Sequence, residues 1–204
     1  MGIMAWAVTS VVFAETILVT ASNGAIKDDG ACSISEAIIN ANADDKVHGD
    51  CNPGKGADLI VLPGNVTLED FVDKTDGYNG TPSINSEITV DGQGYTLQRS
   101  SDFPCSINAD SAAKEFRLFH VGLGNLTLEN ITLANGCADG SASAGNGGAI
   151  YNLGALTLTN TTLLNNAAAS SGGGISNHGT LSILSRSRLA QNSAGFGGGI
   201  YTNS

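Results

Sequence analysis

The chain of 204 residues has little charge: 14% of its residues are Asp, Glu, Lys or Arg. It has four prolines, one tryptophan and 5% aromatics. Nine basic residues against nineteen acidic ones leave a formal charge of −10. Nucleic-acid binding is excluded on that ground, because phosphate contacts need a basic face. No apolar run reaches the ~18–20 residues a membrane-spanning helix requires. Neither a CxxC pair nor a close His/Cys cluster occurs: His48, His120 and His178 stand singly, which argues against zinc. A mean hydropathy of +0.05 excludes global disorder.

The sharpest absence is local. Residues 140–204 contain no Asp, Glu, Pro or Cys, and carry only Arg186 and Arg188. The same stretch holds thirteen glycines and eight asparagines. All nineteen acidic residues fall in 1–139, so two differently built regions share the chain.

Residues 1–14 form an apolar stretch closing on Val12-Phe13-Ala14, and read as a signal peptide that lacks a basic residue before the apolar run. The competing reading is a buried first strand. The four cysteines, Cys32, Cys51, Cys105 and Cys137, agree with export and predict two disulfides. Chain order favours Cys32–Cys51 and Cys105–Cys137, with three connectivities formally open. A secreted or cell-surface location follows as the expectation.

Ser33-Ile34-Ser35-Glu36 is a capping box, with a hydroxyl for orphan N–H groups and a carboxylate reaching back. Ile34, Ala37, Ile38 and Ala41 follow at i, i+3, i+4 and i+7, which predicts one helix over roughly 34–42. Capping explains Glu36 without catalysis. Elsewhere short strands between turns dominate: 58–62, 66–68, 87–90, 95–98 and the alternating 116–121.

From residue 124 the chain repeats. Gly124-Asn125-Leu126-Thr127-Leu128 matches Gly154-Ala155-Leu156-Thr157-Leu158, and Gly179-Thr180-Leu181-Ser182-Ile183 is a third copy. Between them lie Gly-Gly-x-Ile segments whose Ile150, Ile175 and Ile200 are 25 residues apart. The first unit is five residues longer within 137–144. Three short strand patterns per unit predict stacked turns of a parallel β-helix, with Leu126, Leu156 and Leu181 in one interior column and the three isoleucines in another. Asn135 and Asn165 are expected to form an amide ladder. A leucine-rich repeat fits less well, because Ile131 and Thr161 occupy its asparagine slot.

The residues Asp28-Asp29-Gly30-Ala31-Cys32-Ser33-Ile34-Ser35-Glu36-Ala37-Ile38, then Asn40-Ala41-Asn42-Ala43, Cys51 and 56–62, resemble the CSLREA domain of large bacterial exported proteins. Glu87–Gly92 and the Gly-Gly-Ala-Ile-Tyr-Asn repeats are similar to pectin-lyase-like and polymorphic-outer-membrane-protein repeats. Ser35 departs from the motif, which has Arg there. The resemblance implies an all-β, right-handed parallel β-helix with one short N-terminal capping helix, divided as 1–14 leader, 15–63 capping region and 64–204 coils. The last strand lacks a polar cap, so the coils are expected to continue in a longer native chain.

The resemblance brings no catalytic residues. Lyases and hydrolases on such folds need clustered carboxylates, which 140–204 cannot supply. Asp91, Asp102, Asp110 and Asp139 are the candidates for an early cluster. Asp28, Asp29, Asp44 and Asp45 could offer oxygen ligands, but match no calcium-loop spacing. Arg186 and Arg188 are expected on one outward strand face. The expected function is a non-enzymatic surface module without cofactor or metal, its partners surface glycans or cell-surface proteins. A polysaccharide lyase or glycoside hydrolase is the alternative.

Overall fold

In the computed structural model, residues 15–107 and 114–203 are described. The leader expected at 1–14 and the candidate Asp110 lie outside them.

The strands fall into four sheets, and every paired strand runs parallel to its neighbour. The first sheet runs β1 (Thr16–Leu18), β2 (Asp58–Val61), β4 (Glu87–Asp91), β7 (Asn125–Glu129), β11 (Ala155–Thr159) and β15 (Thr180–Ile183). The second holds β3 (Val66–Leu68), β5 (Thr96–Arg99), β8 (Thr132–Ala134), β12 (Thr162–Leu164) and β16 (Arg188–Ala190). The third is β9 (Cys137–Ala138), β13 (Ala167–Ser171) and β17 (Ser193–Phe196). The fourth is β6 (Phe119–Val121), β10 (Ile150–Asn152), β14 (Ile175–Asn177) and β18 (Ile200–Thr202).

From β7 onward the chain visits the sheets in one cyclic order. Each repeat therefore has four strands, where three are expected from its apolar pattern. The extra strand is Cys-Ala in β9, Ala-Ala-Ala-Ser-Ser in β13 and Ser-Ala-Gly-Phe in β17, so it repeats no large apolar residue for a hydrophobic pattern to report. Leu126, Leu156 and Leu181 stand in one register, and so do Ile150, Ile175 and Ile200. Leu126, Leu156, Ile150 and Ile175 are buried, while Leu181 and Ile200 in the last turn are half-buried against the same core.

Left-handed corners keep these units in step. Gly147, Gly172 and Gly197 take φ of 68°, 68° and 60°. A Cβ on Gly172 would lie 2.1 Å from the Ile175 carbonyl oxygen, so only glycine fits. Asn130 and Asn160 turn a second corner at φ 49° and 47°, and Asn160 Nδ2 donates to Asn130 Oδ1 at 2.9 Å.

Three local expectations are corrected. Asn135 and Asn165 share a corner conformation, but the Asn135 amide donates to Gln98 Oε1; inter-turn amide bonds instead join Asn166 to Asn192 and Asn152 to Asn177. Arg186 sits in a left-handed turn at φ 59°, and only Arg188 belongs to a strand, though both are exposed. The strand near residue 116 starts at Phe119, because Phe116 to Leu118 are bound into a loop below.

Helix α1 (Ile34–Ala43) is capped by Ser33: Glu36 N donates to the Ser33 hydroxyl, and Ser33 N donates to the Glu36 carboxylate. It ends at Asp44, which adopts the left-handed conformation. Ile34, Ala37, Ile38 and Ala41 are fully buried in the common core. Burial stabilises by about 1.5–3 kcal/mol for each isoleucine. α1 packs against β2 and β4, which puts it beside the outer part of the first sheet. Two disulfides, Cys32–Cys51 and Cys105–Cys137, staple the loops and suit an oxidising environment. No helix among the described residues is long and apolar enough to cross a membrane.

Candidate functional site

Three segments that break the repeat meet at one place: 69–86 between β3 and β4, the residues leading into β6, and 139–149 between β9 and β10. Their convergence gathers Asp73, Asp76, Ser83, Arg117, His120, Asn146 and Tyr151.

The first segment is folded by its own acids. Asp73 pairs with Asn79 in an antiparallel bridge, and Asp73 Oδ1 accepts from the Thr75 N–H and hydroxyl. Asp76 follows at φ 55° and Gly77 at φ 126°, which turns the loop and presents the Asp76 side chain. The chain then runs alongside β6, with bridges from Asn79 to Arg117 and from Ile84 to Val121. Ser83 thereby falls opposite His120. Asp73 Oδ2 accepts the Ser83 N–H at 2.9 Å, and Asn42 of α1 donates to the Ser83 carbonyl at 2.8 Å.

His120 is buried between these walls. Its Nδ1 lies 2.5 Å from Ser83 Oγ, and its Nε2 lies 3.4 Å from Asp76 Oδ2. The second contact has ion-pair distance without hydrogen-bond alignment, and Nε2 has no hydrogen-bond partner among the described residues. Burial, and then the Arg117 charge, push the imidazole below its ordinary range, against the opposite pull of Asp76 and Asp73. His120 is therefore neutral at pH 7.

Arg117 is fully buried, and burial lowers its guanidinium to about 10. It remains charged at neutral pH. Nη2 donates to the carbonyls of Asp76, Ser143 and Ala144, each at 2.9 Å, and so ties two of the segments together. The guanidinium carbon lies 5.0 Å from the Tyr151 ring centroid. Its Nε and Nη1, with Asn146 Oδ1 and Asn79 Oδ1, find no hydrogen-bond partner among the described residues. Buried polar atoms without partners are rare and mark sites of function or strain. Burial also raises the Tyr151 phenol, as does Asp76, so that group stays protonated.

Alongside lies a cleft of about 300 Å³ lined by Lys74, Gly77, Tyr78, Asp139 and Ser141. A second cleft, of about 520 Å³, is lined by Ser22, Asn23, Lys27, Asn65, Glu69 and Lys114. Its walls alternate donors and acceptors.

The acids considered from sequence have other occupations. Asp91 caps its own turn by accepting from Gln93 N and from the Asn130 amide. Asp102 is exposed in a turn, and Asp139 lines the smaller cleft. Asp29 accepts from Ala31 N, Asp44 from Gly56 N and Asp45 from Lys46 N. No group of three or more His, Cys, Asp or Glu that could hold a metal occurs among the described residues. The Ser83–His120–Asp76 set escapes sequence reading, because no local motif joins the three; the one signal is that the segments there carry acids, which residues 140–204 do without.

No protein-family model matches the chain, and comparison with curated proteins and with solved structures gives no significant match.

Proposed function

We propose that the chain is a secreted or cell-surface module of the CSLREA-bearing, pectin-lyase-like kind, acting in adhesion or display. In this reading residues 64–204 wind as coils of a right-handed parallel β-helix, residues 15–63 form the capping region, and α1 covers the core of the first coil. The carrying observation is the register: residues one repeat apart lie on adjacent strands in each of four parallel sheets. A stack of this kind makes a stiff, flat-sided body that suits presentation of a surface. The two disulfides support an extracytoplasmic setting.

Surface glycans and cell-surface proteins are the partners. The 520 Å³ cleft supports the first, since Asn23, Asn65, Thr67, Lys27 and Glu69 offer the mixed donors and acceptors that sugar hydroxyls use. The test is a glycan array with the full chain, followed by titration of the best ligand. Saturable binding without bond cleavage, weakened in Lys27→Ala, is expected. An array without binding overturns the glycan assignment. Unsaturated uronate products from pectate, absorbing in the ultraviolet, would replace adhesion with the lyase reading.

A further inference from the structure

We propose that Ser83, His120 and Asp76 form a nucleophilic site that hydrolyses small carboxylic esters through an acyl-Ser83 intermediate. The adhesive reading makes no use of these residues, so the inference goes beyond it.

The geometry assigns the roles. Ser83 Oγ is within hydrogen-bond distance of His120 Nδ1, and Asp76 Oδ2 faces the opposite ring nitrogen. A neutral imidazole protonated at Nε2 presents a free lone pair at Nδ1 to the serine hydroxyl. The nitrogens are used in the reverse of the order found in serine proteases, but the relation of nucleophile, base and orienting carboxylate is the same. The Asp76 contact is long, as catalytic contacts often are before substrate binds. Asp73 fixes the backbone of the nucleophile through the Ser83 N–H.

The surroundings of the nucleophile are tight on one side. A Cβ on Gly122 would lie 3.1 Å from Ser83 Oγ and 2.5 Å from Asn85 Oδ1. No side chain fits between them at Gly122, so β6 closes one flank of the nucleophile; Ser83 is half-buried beside the exposed Asn85, and an ester reaches Oγ from that surface side.

The steps balance with water as the only co-reactant. Ser83 Oγ attacks the ester carbonyl carbon, and its proton passes to His120 Nδ1. The resulting imidazolium is offset by Asp76, and by Asp73 more distantly, while Arg117, two residues before β6, opposes it and Tyr151 from β10 stays neutral. The tetrahedral adduct expels the alkoxide, which takes the proton from Nδ1 and leaves as an alcohol. Water then attacks the acyl-serine with Nδ1 as base, releasing the carboxylic acid and restoring Ser83.

The test uses the full chain, a fluorophosphonate label with peptide mapping, and hydrolysis of p-nitrophenyl acetate across pH. Labelling at Ser83 in the folded wild-type chain is expected. Ser83→Ala should lower hydrolysis by about 100-fold or more with its melting curve unchanged. The rate should rise with pH around a midpoint below the ordinary imidazole value of 6.5. Asp76 acts as a positioning residue, and Asp76→Asn should slow hydrolysis and move that midpoint lower still, which a purely structural role would not do. An unlabelled Ser83 in the folded chain overturns the proposal whatever the variants do, and so does hydrolysis that survives Ser83→Ala.

Discussion

The repeats of 140–203 and the irregular segments of 69–121 solve the same burial problem in opposite ways. In the repeats the buried polar groups are uncharged, and several are answered by neighbouring turns, although Asn146 Oδ1 and Asn152 Oδ1 find no hydrogen-bond partner among the described residues. Asn166 donates to the Leu133 carbonyl and to Asn192, and it accepts from Gly136 N. In the irregular part Arg117 and His120 are buried with nitrogens that have no hydrogen-bond partner among the described residues. A turn that repeats can satisfy its polar atoms by translation, because each neighbour is a copy. A segment that occurs once cannot, and it retains electrostatic tension that chemistry can use. Regular stacking therefore supplies the frame, and the departures from it supply the site.

The largest expected effect tests whether the site's tension is held by one residue. Arg117→Ala removes three hydrogen bonds to carbonyls in two segments and leaves a cavity. We expect a loss of about 3–5 kcal/mol in urea unfolding. Hydrogen exchange should rise first at 76–80 and 143–149, since Arg117 links those segments. A loss under about 1 kcal/mol would mean that the segments hold one another without it, and the contrast with the repeats would fail.

Parallel pairing was legible in the sequence wherever a spacing converts directly to a register. Ile150, Ile175 and Ile200 share a position in their units, and a period leaves no other way to pair them. The capped helix was legible because Ser33 and Glu36 are local to it. The third sheet was not, since Ala167–Ser171 has no apolar alternation and is held by glycine and alanine packing across turns. Nor was the site: Asp76, Ser83 and His120 meet only because 79–84 runs beside β6, and no period places that segment.

His120 offers a second, smaller way to sharpen the comparison. Its folded-state pKa is lowered, mainly by burial, from the ordinary 6.5. The unfolded chain therefore binds more protons below pH 6.5, and stability must fall as pH drops from 6.5 through the folded value. Above 6.5 this contribution is fully present. His120→Gln removes it, so the stability gap between wild type and variant should be constant from pH 8 to 7 and shrink towards pH 5. A gap that stays flat over that range would show the imidazole to be no harder to protonate in the fold than out of it.

The smallest expected effect lies in the repeats, at a corner where the third unit departs from the first two. Asn130 and Asn160 turn the corner in the first two units, while the third, one residue longer before Leu189, uses Arg186 at φ 59°. A left-handed conformation costs a residue with an ordinary side chain about 1–2 kcal/mol, and asparagine less. Arg186→Asn should therefore stabilise the chain by about 0.5–1 kcal/mol in urea unfolding. The exposed guanidinium has little to lose, so the gain reports the backbone alone. If the substitution is neutral, the extra residue has relaxed the corner, and asparagine in the earlier units serves its amide bond more than its φ.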